Sequence, residues 1–202
     1  MEDSVKILVL VSGGGSNLQA LIDAEKEGRL KPGRIAAVIS SKAGVYAIER
    51  AKTAGVPVLV EKPDIKLPMP ERRMDLSNRI LSHCREIDID LIVNAGFLSV
   101  LKGEILSEYV KKIINIHPAL LPKYGGQGMY GENVHRAVLE AGEKESGCTV
   151  HYVEDGIDTG EIILQRKVPV LPDDSIESLA ERILIEEHIA IVQAVNNLMG
   201  AV

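Results

Sequence analysis

Val5-Lys6-Ile7-Leu8-Val9-Leu10-Val11 runs straight into Ser12-Gly13-Gly14-Gly15-Ser16-Asn17, after which Leu18, Leu21 and Ile22 recur at helical spacing until Gly28. An unbroken β-rich run is what a strand covered on both faces requires, and the glycines break it before a helix begins. The same alternation continues outward. Ile35–Ser40 reads as a second strand, Tyr46–Ala54 as a helix stopped by Gly55, and Val56–Val60 as a third strand. Glu61–Pro70 carries three prolines and reads as a connection or lid. Glu71–Glu86 is helical in pattern, Asp90–Ala95 a strand, Val100–Lys111 a helix, and Ile113–His117 a fifth strand ended by Pro118. Repeated strand–helix units predict an α/β fold, Rossmann-like, with a mostly parallel sheet and helices on both faces.

Beyond Pro118 the texture changes. A Gly-rich loop over Lys123–Gly131 precedes a helix over Glu132–Ala141. Cys148–Val153 and Glu161–Val170 flank the turn Asp155–Gly160 and read as an antiparallel extension of the sheet. Asp174, with Glu177 three residues on, reads as the cap of a long final helix reaching about Met199. The whole, residues 1–202, is expected to be a single domain.

Composition narrows the function classes. Hydrophobic residues make up 46% and charged residues 26%, which suits a globule with a sizeable core and rules out disorder and fibrous repeats. A net charge of −6, with one Phe, five Tyr and no Trp, argues against nucleic acid and against an anionic membrane surface as partners. Met1–Lys6 has no basic leader, and Ile7–Val11 is far too short to span a bilayer, so the expected compartment is cytoplasmic. Cys84 and Cys148 read as small core residues of a reducing compartment.

In such folds ligands bind beyond the C-terminal strand ends. Ser12–Asn17 sits there: either its backbone N–H groups and the helix dipole hold a phosphate, or it is a tight turn capped by Ser16. No Gly-Lys-Ser/Thr follows, and position 18 is Leu where the dinucleotide fingerprint places its third Gly. Asn115 and His117 lie two apart on one strand face, which suits a developing oxyanion with a moving proton, and equally a structural histidine. Asp155 and Asp158 are turn residues, or a carboxylate that raises the pKa of His117 and sets its tautomer. Glu187 interrupts the apolar stripe Ala180, Ile183, Ile191, Ala194, Leu198. It must lie at an edge or find a partner, in a ligand or an internal salt bridge. His151, His83, His135 and His188 read as structural, and no HExxH, CxxC or G-x-S-x-G pattern is present.

Taken together, Ser12–Asn17 with Leu18-Gln19-Ala20, Ala95-Gly96-Phe97-Leu98, Asn115-Ile116-His117-Pro118 with Leu120-Leu121-Pro122, and Val150–Val153 running into Asp155–Gly160 resemble the formyltransferases that use 10-formyltetrahydrofolate. The Gly-Ser-Asn-Leu-Gln loop and the Glu187-His188 pair point to the branch acting on glycinamide ribonucleotide (GAR) in purine synthesis. The resemblance runs from about residue 5 to residue 198. It implies a formyltransferase fold with a nucleotide-binding half over residues 1–117 and a folate and catalytic extension over 118–202. It further implies that Gly15, Ser16 and Asn17 hold the ribonucleotide phosphate and Glu187 its ribose or glycinamide part.

The folate would lie against Leu98, Ser99, Val100 and Leu101 and against Glu154, Asp155, Gly156, Ile157 and Asp158, with Arg73 (or Arg72) contacting it. Asn115, His117 and Asp158 are the implied catalytic set: Asn115 and a protonated His117 donate to the oxyanion, and Asp158 supports the imidazolium. The co-substrate is 10-formyltetrahydrofolate, the acceptor is GAR, no metal is required, and the enzyme is a monomer or homodimer. Lys123–Glu132 is longer and richer in Gly than the usual loop, Ser99 replaces a frequent Arg, and Glu161 stands where Pro is common. Other enzymes of the same chemistry, methionyl-tRNA formyltransferase and formyltetrahydrofolate hydrolase, carry an added domain that is not expected at 202 residues. A non-catalytic nucleotide-binding module would not need Asn115, His117 and Asp158 together.

Overall fold

Lys6–Val11 is a strand whose residues alternate between two cores: Ile7, Val9 and Val11 pack on one face of the sheet, Leu8 and Leu10 on the other. The computed structural model describes residues 4–30 and 32–200; of the segment on which the leader reading rests, residues 1–3 lie outside the described residues. The elements in order are β1 (Lys6–Val11), α1 (Ser16–Lys26), β2 (Arg34–Ser40), α2 (Tyr46–Thr53), β3 (Val58–Val60), α3 (Met69–Glu86), β4 (Leu91–Asn94), α4 (Glu104–Glu108), β5 (Ile113–His117), α5 (Glu132–Glu140), β6 (Glu145–Tyr152), β7 (Ile162–Pro169) and α6 (Ile176–Met199).

The strands form one sheet in the order β3-β2-β1-β4-β5-β6-β7, parallel from β3 through β5 and antiparallel from β5 to β7. Strand order reverses between β1 and β4, so the crevice beyond their C-terminal ends is where such sheets take ligands. Helices α1 and α6 cover one face through Leu18, Leu21, Leu179, Ile183 and Ile191; α3 and α4 cover the other through Leu76, Ile80 and Ile105. Burying one such Leu or Ile side chain is worth about 1.5–3 kcal/mol. Cys84 and Cys148 are free and buried, and burial pushes both thiols up to about 12, which leaves them inert.

Four local expectations are corrected. The helix expected over Val100–Lys111 shrinks to Glu104–Glu108, because Gly103 at φ 80° and ψ −144° cannot continue a helix. The third strand begins at Val58 rather than Val56, after Pro57, which has no N–H for the ladder. β6 starts at Glu145, earlier than Cys148: Gly147 hides the alternation, and only Gly fits there because a Cβ would lie 2.0 Å from the Arg166 carbonyl oxygen. The cap of α6 is Ser175, not Asp174. Ser175 Oγ accepts from the Ser178 N–H at 3.2 Å and Ser178 Oγ from the Ser175 N–H at 3.0 Å. Asp174 instead takes two bonds of 2.7 Å from Arg182, whose guanidinium holds its carboxyl well below the usual range.

Candidate functional site

Beyond β1, Gly15 adopts φ 74°, and a Cβ there would stand 2.6 Å from the Cβ of Ala47, so the turn into α1 requires glycine. Three successive carbonyls of this loop are tied down. Gly13 O accepts from the Ala47 N–H at 3.2 Å, Gly14 O from Arg50 Nε at 2.9 Å, and Gly15 O from the Gln19 N–H at 2.9 Å. In a planar peptide the N–H points opposite its carbonyl, so the N–H groups of Gly14, Gly15 and Ser16 face away from these partners. The first turn of α1 has no acidic residue and no side-chain cap, which leaves its dipole and free N–H groups for an anion.

Asn17 is buried, and its side chain serves another purpose: Asn17 Nδ2 donates to Glu187 Oε2 at 2.7 Å. The partner that Glu187 needed is therefore a neutral amide of this loop and not an internal salt bridge. Burial raises the Glu187 pKa, and the Asn17 bond opposes that rise. Glu187 is 8% exposed and, with Asn17, closes one end of a cleft of about 310 Å³. Gly15 and Ser16 lie outside the lining, at that end.

The cleft floor is made by strand ends. Asn115 pairs in register with Asn94 on β4 and His151 on β6, and His117 with Thr149. Asn115 Nδ2 lies 3.1 Å from His151 Nε2, and His151 Nδ1 lies 2.8 Å from Tyr152 O. A carbonyl only accepts, so His151 carries its proton on Nδ1 and receives one N–H of Asn115 at Nε2. His117 is 4% exposed; its Nε2–H donates to Tyr124 O at 2.8 Å, and its Nδ1 faces Asp158 Oδ2 at 3.6 Å. Asp158 Oδ1 is 3.5 Å from His151 Nε2, and Asp158 Oδ2 accepts from the Gly126 N–H at 3.0 Å. Asp158 holds φ 55°, a left-handed strain on a residue with a Cβ, at the point where the carboxylate meets both imidazoles.

Opposing forces act on the two titratable groups of this cluster. Burial lowers the His117 pKa below 6.5; Asp158 and the Tyr124 carbonyl push it back up and His151 adds to the lowering, but burial wins. Burial therefore favours the neutral imidazole, while the facing Asp158 carboxylate favours the imidazolium. At Asp158, burial disfavours the charge, yet His151, His117 and the Gly126 N–H together hold its pKa below the usual carboxylate value.

The other expected residues divide. Arg73, Leu98, Ser99, Val100, Leu101 and Glu154 line the cleft, as do Gly156 and Ile157. Asp155 does not; its exposed carboxylate pairs with Lys102 at 2.7 Å. Arg72 is spent on the carbonyls of Asp64, Ile65 and Leu67, which shapes the Pro-rich connection. The Leu98 N–H is already taken by Ser12 Oγ at 2.9 Å, so only its carbonyl is free for a ligand. His151, read as structural, lies in the middle of the cluster. Its strand alternation with Thr149 was visible in the sequence, but its neighbour Asn115 depends on the β5–β6 register. His83, on α3, bonds Glu61 at 2.8 Å and does not line the cleft.

The chain is similar to known proteins over nearly its full length. It is 44% identical over 196 residues to the trifunctional purine biosynthetic protein adenosine-3 of Drosophila melanogaster, covering 96% of this chain but only 14% of that much longer protein. It is 40% identical over 185 residues to the phosphoribosylglycinamide formyltransferase of Haemophilus influenzae, covering 91% of this chain and 82% of that protein. The crystal structure of glycinamide ribonucleotide transformylase 1 from Symbiobacterium toebii superposes with a TM-score of 0.87 at 40% identity, over 97% of this chain and 88% of that one. The sequence pattern of the formyl transferase family matches residues 5–195, and the chain belongs to that family.

Proposed function

We propose that the protein transfers the formyl group of 10-formyltetrahydrofolate to the amine of 5'-phosphoribosylglycinamide, giving formyl-GAR and tetrahydrofolate in de novo purine (IMP) biosynthesis. One observation carries this: a single cleft runs from Asn17 and Glu187, beside the glycine loop, to an amide, imidazole and carboxylate cluster on its floor. The Haemophilus relative is named for this activity. In this reading residues 1–117 supply the nucleotide half and 118–202 the catalytic extension, and the reaction runs in the cytoplasm. Among the described residues no helix is long and apolar enough to cross a membrane.

The phosphate rests on the N–H groups of Gly15, Ser16 and Asn17, and Glu187 accepts from the ribose or amine. The folate lies along the backbone of Leu98–Leu101 and of Glu154–Asp158, with Arg73 beside it. The amine attacks the formyl carbon, forming the new C–N bond and turning the formyl oxygen into an oxyanion. Asn115 has a second N–H besides the one given to His151, and that hydrogen is donated to the oxyanion. Neutral His117 keeps Nε2–H on Tyr124 O and takes the amine proton at Nδ1. The imidazolium formed faces Asp158 Oδ2 at 3.6 Å, which stabilises it. That proton then passes to N10 as the C–N10 bond breaks and the carbonyl returns, so no proton is gained or lost overall. A placed oxyanion donor is worth roughly 10²–10³ in rate, and a placed acid or base roughly 10²–10⁴.

The test mixes the protein with 10-formyl-5,8-dideazafolate and GAR and follows deformylated folate by absorbance. Turnover that requires GAR and is lost in His117→Ala is expected. Deformylation without GAR would make water the acceptor, and absence of any signal above the His117→Ala control overturns the proposal.

A further inference from the structure

Asn94 is the one polar residue of β4, and nothing above uses it. Its strand neighbours Ile92 and Val93 are fully buried in the two cores. Asn94 itself is 6% exposed, lines the cleft, and its Oδ1 has no hydrogen-bond partner. An amide held in this way is a cost to the folded protein unless something outside the chain completes it. The other cleft amide with an unpartnered Oδ1, Asn17, is anchored through its Nδ2, which donates to Glu187. Asn94 has no such account.

Register places Asn94 where it matters. On β1 its partner is Leu10, which belongs to the apolar core beneath α3; on β5 its partner is Asn115, whose own partner on β6 is His151. Residues in register on adjacent strands project from the same face, with strands roughly 4.8 Å apart. The row Leu10, Asn94, Asn115, His151 therefore turns from apolar to polar at Asn94, one strand before the residue that faces the reacting carbon. An apolar side chain at 94 would join Leu10 and Ile92 in the core. The walls on either side, Phe97, Leu101, Val153 and Ile157, are apolar.

We infer that Asn94 is a further co-substrate-contacting residue, whose amide hydrogen-bonds the polar edge of the flat heteroaromatic ring of the folate beside Asn115. A flat ring suits the apolar walls, and its ring nitrogens and exocyclic groups offer the donors and acceptors an amide pairs with. The phosphate and ribose of the other substrate belong to the Asn17 and Glu187 end, so the contact discriminates between the two ligands. This inference rests on the formyl-transfer reading above.

The experiment compares wild type with Asn94→Leu and Asn94→Ala, using calorimetry with 10-formyl-5,8-dideazafolate, steady-state kinetics and thermal melting of the ligand-free protein. Both variants should bind the folate analogue about tenfold more weakly, about 1.4 kcal/mol, while the KM for GAR and the saturated kcat stay within about twofold. Ligand-free Asn94→Leu should melt at or above the wild-type temperature, because it removes the unpartnered amide. Unchanged folate affinity overturns the inference, as does weakening by Leu alone, which would signal crowding, or a lower melting temperature for Asn94→Leu with normal affinity, which would make Asn94 structural. Wild type that binds no folate analogue overturns the functional reading and this inference together; wild type that binds and turns over isolates the result to Asn94.

Discussion

The loop from Gly13 to Ser16, beside one end of the cleft, and the strand-end cluster around His117, on its floor, are built from materials of opposite kind. The loop uses backbone alone: three carbonyls are anchored on the α1 and α2 side, and the N–H groups are left to face a ligand. The cluster uses side chains drawn from β5, β6 and the turn before β7, linked by distances of 2.8–3.6 Å. Where the loop relies on glycine at a positive φ, the cluster puts a strained aspartate, Asp158, in the left-handed region. A chain of net charge −6 can bind an anion this way, because backbone donors and a helix dipole need no lysine. The cluster, by contrast, is built from titratable groups whose pKa values burial and mutual contact have moved.

If that contrast is sound, His117→Ala and Asn115→Ala should produce the largest effect, lowering kcat by roughly 10²–10⁴ with the affinities for GAR and folate measured by calorimetry nearly unchanged. Equal loss of binding would erase the distinction between the two ends. Acidification comes next. His117 must be neutral to accept the amine proton and its pKa lies below 6.5, so kcat/KM should be level above pH 7 and fall toward tenfold per pH unit once pH drops beneath that pKa.

Stability carries the same sign. The unfolded chain binds more protons than the folded one between the lowered His117 pKa and 6.5, so stability is lost as pH falls through that window. A profile that instead falls above pH 7 would restore a protonated donor. Ser16→Asp puts a negative charge at the anion loop and should weaken GAR by about tenfold or more while folate affinity moves little. Equal weakening of both ligands would count against a phosphate there. Smallest is Ser175→Ala, remote from both ends, which should cost about 1 kcal/mol in denaturant unfolding and leave kcat and both KM values untouched.

Much of the fold could be read before any contact was known. Continuous apolar runs predicted β1, β2, β4 and β5 nearly to their ends, since a strand buried on both faces has to look that way. Elements set by one residue's geometry were misread: Gly103 truncates α4 and Gly147 conceals the first turn of β6's alternation. At the site, Asn115 and His117 stood out because two residues apart on a strand means one face. His151 and Asn94 did not, for their neighbours across the sheet are 36 and 21 positions away.

Local pattern was enough to mark the glycine loop, whose features are carried by consecutive residues: glycines, a helix start, and no acid in the first turn. It also sufficed for the parallel α/β order, since period and breakers are properties of short windows of chain. Tertiary structure alone decided which way the His117 pKa moves, because burial lowers it while the facing Asp158 raises it, and both depend on the packed arrangement. It alone paired Glu187 with Asn17, and set Asn94 and His151 on either side of Asn115. Register between strands and depth below the surface belong to no segment of the sequence, and both depend on how distant segments pack.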